Sequence, residues 1–111
     1  PRLVGLQKAT ALMMTAESIS ANDAEKMGMI YKVFSDESFV ERSWNLVSKL
    51  SQMPTKGLGL TKILLNESYN NNLEQQLDME DKCQSIAGET NDFKEGVQSF
   101  LEKRKPIFKG E

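Results

Sequence analysis

The chain has 111 residues, a net charge of −2 at neutral pH and no histidine. This length allows one modest hydrophobic core, and no second domain of ordinary size fits. The charge gives no general attraction to nucleic acid or to an anionic membrane surface. Without histidine, neither a Ser-His-Asp nor a Cys-His catalytic set can form within these residues.

Cysteine use and hydropathy restrict the chemistry and the location further. The single cysteine, Cys83, excludes an internal disulfide and favours a reducing compartment, so we expect a cytoplasmic protein. One cysteine and no histidine do not make a metal site of the usual kind, and no metal or other cofactor is expected. No apolar run approaches the ~18 residues of a membrane span, so no membrane association is expected.

Helical periodicity begins near the start of the chain. Apolar residues recur at helical spacing over residues 3–15, and Ser20 with Asp23 predicts the capped start of a short second helix that ends at Gly28. Residues 29–34, "MIYKVF", alternate apolar and polar side chains, which predicts a short extended segment. Because one strand cannot form a sheet by itself, this segment is expected to lie along helices or to need a partner from elsewhere.

Four further helices are predicted in the rest of the chain. The third helix is capped by Asp36 or Ser38 and ended by Pro54, and the fourth covers about residues 55–68. A turn at Asn70–Asn72 caps the fifth helix, which covers residues 73–87 and ends at Gly88. Asp92 with Glu95 forms a capping box for the last helix. One face of the last helix carries Phe93, Val97, Phe100, Leu101 and Arg104. The predicted fold class is all-α, with about six helices and one short extended segment.

Two stretches have the composition of functional sites but are better explained otherwise. Asp78, Glu80 and Asp81 lie on a polar helix beside Lys82, which is typical of a solvated face. "GLGLTK" at residues 57–62 lacks the GxxxxGK[ST] spacing and a preceding strand, so we interpret its glycines as a close helix contact. No residue of this chain is predicted to be catalytic.

A basic run close to the end of the chain allows two interpretations. Lys103, Arg104, Lys105 and Lys109 crowd this end of an otherwise slightly acidic protein. They could form a solvated tail, or they could hold an anionic ligand.

Two stretches of the chain resemble the crotonase superfamily, the enoyl-CoA hydratases and isomerases. The opening, "PRLVGLQKATALMMTAESISANDAEKMGMIYKVF", is similar to the family's "LPRLVG" lead and its "SAxEAxxxGLVxxVV" segment, with Thr15-Ala16-Glu17 in place of Thr-Gly-Glu. The end, "DFKEGVQSFLEKRKPIFKG", is similar to the family's "DxxEGxxAFLEKRxPxFxG". The matching end residues are Asp92, Glu95, Gly96, Phe100 to Arg104, Pro106, Phe108 and Gly110. The middle of the chain is most similar to isomerases of phenylacetate degradation, which act on ring-epoxidised phenylacetyl-CoA.

The resemblance implies a division of labour in a longer parent enzyme. Residues 1–111 resemble the C-terminal helical domain, which builds trimers or hexamers and lays helices over an active site. The catalytic spiral domain, with the oxyanion hole and the acid–base carboxylates, is then expected before Pro1, and these residues alone are expected to be inactive. Hydratase and isomerase chemistry both remain open, as does a free-standing helical interaction module without enzymatic activity.

The resemblance also implies a role for two residues near the end. Phe100 corresponds to the aromatic residue that borders bound coenzyme A, and Lys103 to the lysine that reaches its phosphate or adenine. Each residue also has a structural explanation. Phe100 lies on the apolar face of its helix, and a lysine in the last turn is favoured by the helix dipole without any ligand.

Overall fold

The computed structural model describes residues 1–111, which form six α-helices and no β-strand. The helices are α1 (Leu6–Thr15), α2 (Ala21–Lys26), α3 (Asp36–Ser51), α4 (Thr55–Glu67), α5 (Leu73–Gly88) and α6 (Asn91–Leu101). The predicted all-α class is confirmed. None of these helices is long and apolar enough to cross a membrane.

The chain divides within α3 into two units, Pro1–Arg42 and Ser43–Glu111. In the first unit, α1 begins three residues later than predicted because Gly5 precedes it with a left-handed backbone, φ 79°. The N–H of Gly5 donates to the carbonyl of Pro1 at 2.8 Å, which closes a turn before the helix. The predicted cap of α2 is confirmed, since the Ser20 hydroxyl accepts the Asp23 N–H at 3.1 Å.

The backbone at the end of α1 favours the glycine of the family's Thr-Gly-Glu over the Ala16 of this chain. Ala16 has a left-handed backbone, φ 51°, and its N–H donates to the carbonyl of Leu12. Glycine adopts this conformation readily, whereas a residue with a Cβ pays about 1–2 kcal/mol. Ala16 therefore stores a small strain at a position where glycine would store none.

The segment predicted to be extended is non-helical and pairs with no strand. Residues 29–31 form a bend in which the N–H groups of Met29 and Ile30 both donate to the carbonyl of Ala24, at 2.9 and 3.4 Å. Further contacts hold the segment within the first unit. The Lys32 ammonium lies 3.7 Å from the carboxylate of Glu25.

In the second unit, α4 packs against α5 and α5 packs against α6. Asn72 caps α5 as predicted, in a capping box that it shares with Gln75. Cys83 is buried, and its thiol belongs to the small core of this unit.

Three local predictions are wrong. α3 begins at Asp36, so the two residues proposed as its caps both lie inside its first turn. The glycines of α4 make no close helix contact, because a Cβ at Gly57 or Gly59 would meet nothing within 4 Å. The cap of α6 is Thr90, whose hydroxyl accepts the Phe93 N–H at 3.0 Å. Thr90 stands directly before the helix, which leaves the two predicted capping-box acids free for other contacts.

Few side chains of this chain are buried. The buried apolar residues are Ala9, Ala24 and Cys83, and no large side chain is completely enclosed. The accessible surface is 9155 Å². A folded monomeric protein of this mass typically exposes about 6,200 Å². Large apolar side chains on several helices therefore remain open to contact with other protein surface.

Candidate functional site

The carboxylate of Asp92 anchors the tail that follows α6. One of its oxygens accepts the backbone N–H of Lys109 at 2.7 Å, and the other accepts that of Gly110 at 2.8 Å. The backbone N–H of Asp92 itself donates to the carbonyl of Glu111 at 3.0 Å. Only 4% of the Asp92 surface is exposed. A buried carboxylate needs such donors, and this one obtains them by folding residues 102–111 back along the helix.

Glu95, one helical turn further along, holds the middle of the tail. Its carboxylate receives two hydrogen bonds from the guanidinium of Arg104, at 2.6 and 2.8 Å, and one from the N–H of Ile107 at 2.8 Å. The bonds from Arg104 and Ile107 lower the pKa of Glu95 to about 2. Arg104 also donates to Glu102 at 2.6 Å, and these contacts raise the pKa of the guanidinium. The acids predicted as a capping box therefore act as anchors of the tail.

The turn after α6 places Lys103 in an unusual conformation. Its N–H donates to the carbonyl of Phe100 at 3.2 Å, and the N–H of Arg104 donates to that of Ser99 at 3.0 Å. These two bonds define a Schellman motif, in which the residue that follows the helix C-cap has a left-handed backbone. Lys103 is that residue, with φ 55°. It therefore follows the helix rather than lying in its last turn, and its backbone costs about 1–2 kcal/mol relative to an ordinary conformation.

The last residues of the tail pack against small residues of the second unit. The ring of Phe108 lies 3.7 Å from where a Cβ of Gly96 would be. Gly110 has φ 81°, and a Cβ there would collide with the hydroxyl of Thr55. Gly110 is thus explained by its left-handed backbone and by this close approach, whereas a Cβ at Gly96 would make only an ordinary contact with the ring.

An apolar groove of about 490 Å³ runs beside α6 and the tail. Its walls include Pro54, Gly57, Ala87, Phe93, Val97, Phe100, Leu101 and Phe108. The apolar face predicted for α6 is confirmed for Phe93, Val97, Phe100 and Leu101, which are not covered, whereas Arg104, predicted on the same face, lies beyond the end of the helix. Phe100 is 82% exposed and Leu101 is 69% exposed.

The end motif thus separates into two sets of residues. Asp92, Glu95, Gly96, Arg104, Phe108 and Gly110 all make the internal contacts that hold the tail. Phe100, Leu101 and Lys103 do not, since Phe100 and Leu101 are exposed on the groove and Lys103 is exposed without an ion pair. The bond from the Lys103 N–H to the Phe100 carbonyl joins the main chains of Phe100 and Lys103 at the end of α6. Their binding to coenzyme A remains a prediction.

These residues contain no evident acid–base centre. Asp92 is the one buried carboxylate, and both of its oxygens already accept hydrogen bonds from the tail. No three of the cysteine, aspartate and glutamate side chains are grouped so that they could hold a metal ion.

Comparison with known proteins agrees with this architecture. A family profile described as "Enoyl-CoA hydratase/isomerase" matches residues 1–111. The chain is 40% identical over 110 residues to the 1,2-epoxyphenylacetyl-CoA isomerase of Escherichia coli, covering 99% of this chain and 42% of that protein. It is 32% identical over 109 residues to the trans-2-decenoyl-[acyl-carrier-protein] isomerase of Streptococcus mutans, covering 98% of this chain and 41% of that protein.

A solved structure gives the same result in three dimensions. The crystal structure of an enoyl-CoA hydratase from Bacillus anthracis is similar with a TM-score of 0.91 and 31% identity, covering 100% of this chain and 43% of that one. The 111 residues therefore span less than half the length of the relatives that they match.

We predict that Asp92→Asn weakens the fold of the second unit. The amide NH₂ of asparagine would face one of the two tail N–H groups, which leaves a buried donor without an acceptor. The expected loss in free energy of unfolding is about 1–3 kcal/mol, measured by urea denaturation. Asp78→Asn, an exposed acid on α5, is the matched control and should change little. Equal stability of the two variants would contradict the anchoring role of Asp92.

We predict that Glu95 makes the tail sensitive to acid. Its pKa is lowered from 4.5 to about 2, so its stabilising contribution is complete above about pH 4.5 and is lost as the pH falls toward 2. Glu95→Gln should therefore be less stable than the wild type at neutral pH, and the difference should shrink in that acidic range. Urea denaturation at a series of pH values measures this difference, with Glu74→Gln on α5 as the control. A difference that does not change with pH would contradict the prediction.

Proposed function

Because the chain belongs to the enoyl-CoA hydratase/isomerase family, we propose that residues 1–111 are the C-terminal helical domain of an enzyme that acts on acyl-CoA esters. In this role the domain covers an active site, contributes to binding of the coenzyme and supports self-association. The observation that carries the proposal is the pair formed by Phe100 and Lys103. Both are exposed at the end of α6, and neither side chain takes part in the contacts by which Asp92, Glu95 and Arg104 hold the tail.

The chemistry of this pair fits the nucleotide end of coenzyme A. An exposed aromatic ring offers a flat apolar surface for adenine, and an ammonium group offers charge-assisted hydrogen bonds to phosphate. The carboxylate of Glu102, the acid next to Lys103 in sequence, is already bonded by Gln98 and Arg104. The Lys103 ammonium is therefore available to an external anion.

We further propose that the substrate is a ring-epoxidised phenylacetyl-CoA and the reaction an isomerisation. The support is the 40% identity to the E. coli isomerase named for that substrate.

The acid–base groups of the reaction are proposed to lie outside these 111 residues. Support comes from the absence of histidine and from the occupied oxygens of Asp92, which leave no buried carboxylate to move a proton. On this proposal, residues 1–111 in isolation have no hydratase or isomerase activity.

We predict that the complete natural chain carrying these residues self-associates. Its exposed apolar side chains exceed what one small core can use, and specific interfaces bury about 800 Å² per partner. Analytical ultracentrifugation over a wide concentration range should show a defined trimer or hexamer. A monomer at every concentration would contradict this part of the proposal.

We predict that Lys103→Ala in the complete chain weakens the binding of coenzyme A esters by about tenfold to a hundredfold and leaves the chemical step nearly unchanged. Exposure to solvent should bring the effect toward the lower value. Alanine also has a Cβ, so the left-handed backbone costs a similar amount in both proteins and the comparison isolates the ammonium group. Steady-state kinetics measures KM and kcat for a CoA thioester and for the corresponding pantetheine thioester, which lacks the nucleotide phosphates.

The expected loss is confined to the CoA thioester and shrinks at high salt, because screening already weakens the wild-type contact. Lys105→Ala is the control, since the side chain of Lys105 is exposed two residues further along the tail. A large fall in kcat at unchanged KM, or the same loss in Lys105→Ala, would show that Lys103 does not bind the phosphate.

A further inference from the structure

We propose that the pair formed by Glu95 and Arg104 is a positioning device for Lys103. It holds the turn after α6 so that Lys103 keeps its left-handed backbone and presents its ammonium group to a nucleotide phosphate. This inference rests on the proposed function, because it takes Lys103 as the group that contacts the ligand. Glu95 and Arg104 are positioning residues, since neither needs to touch the coenzyme.

The geometry fixes the chain on both sides of Lys103. On one side, Glu102 is bonded by the side chains of Gln98 and Arg104, at 2.5 and 2.6 Å. On the other side, Arg104 is bound by both carboxylate oxygens of Glu95. Lys103 is the one residue between these two anchored positions, and it has the unfavourable backbone, φ 55°.

The anchoring contacts offset the free-energy cost of a backbone conformation that is unfavourable for lysine. A lysine in a free chain leaves the left-handed region readily, and glycine is the usual residue at this position of a Schellman motif. Glycine here would satisfy the turn without strain but would carry no charge. A lysine held in place by a neighbouring ion pair supplies both the turn and the cation. Residues in sparsely populated conformations often lie at functional sites for this reason.

The pair formed by Glu95 and Arg104 also contacts residues beyond the turn. One of the two Glu95 oxygens that accept from Arg104, Oε1, also accepts the Ile107 N–H, and Arg104 donates to the carbonyl of Lys105 at 3.2 Å. The same carboxylate therefore orders residues on both sides of Pro106. A change at Glu95 should loosen residues 103–105 of the basic run, while Asp92 still anchors Lys109 and Gly110.

The direction of the Glu95→Gln effect distinguishes positioning from simple electrostatics. The substitution removes a negative charge near the proposed phosphate site, so charge alone predicts tighter binding of coenzyme A. Positioning predicts weaker binding, because the neutral amide cannot hold the guanidinium through two charge-assisted bonds. These two expectations have opposite signs.

The test is a double-mutant cycle in the complete natural chain. Isothermal titration calorimetry with coenzyme A and with pantetheine is carried out on the wild type, Glu95→Gln, Lys103→Ala and the double variant. We expect Glu95→Gln to weaken coenzyme A binding by about threefold to tenfold and to leave pantetheine binding unchanged. In the Lys103→Ala background, Glu95→Gln should cause no further loss, since the group that it positions is absent.

Each outcome is decisive for one of the two claims. Tighter or unchanged coenzyme A binding in Glu95→Gln, equal weakening for both ligands, or additive losses in the double variant would overturn the positioning role while the proposed function stands. If Lys103→Ala itself leaves coenzyme A binding unchanged, the proposed ligand role of Lys103 fails, and the positioning claim fails with it. Should Glu95→Gln not fold, Arg104→Lys, which keeps the charge but loses the two parallel bonds, takes its place in the same cycle.

Discussion

The second unit depends on the contact between one buried carboxylate and the returning main chain. Asp92 satisfies its two oxygens with N–H groups from residues that follow it by 17 and 18 positions. Hydrogen bonds to an ionised acceptor are stronger than those between neutral groups, and burial strengthens them further. Once the tail is bound, Phe108 reaches Gly96, and Gly110 reaches Thr55 at the start of α4. The tail thereby joins α4 and α6, each of which also packs against α5.

The sequence predicted the helices well because their ends carry local signals. Ser20, Asn72 and Pro54 act within a few residues of their own position, so the second, fourth and fifth helices begin where they were expected. The prediction of a capping box at Asp92 and Glu95 was wrong because the same local spacing allows two interpretations. Two acids three positions apart fit a capping box and also fit a pair of acceptors on one helix face. The contacts that decide between these alternatives come from the distant tail, and local spacing does not contain them.

The candidate site was predictable in its residues but not in its geometry. The resemblance singled out Phe100 and Lys103, and helical periodicity placed Phe100 on the apolar face of α6. Periodicity shows which side of a helix is apolar, but it does not show what covers that side, and Phe100 is largely exposed. The left-handed backbone of Lys103 had no signal in its own residue type. It follows from two main-chain bonds and from an ion pair between residues nine positions apart.

Asp92 and Glu95 hold the tail mainly through its main chain, so several of its side chains can change during evolution. Asp92 and Glu95 bind the N–H groups of Ile107, Lys109 and Gly110, which every residue except proline possesses. The side chains at positions 107 and 109 can therefore drift without loosening the anchor. An insertion or deletion between Arg104 and Gly110 would instead shift every donor past its acceptor. The length of this segment is thus constrained more tightly than its composition.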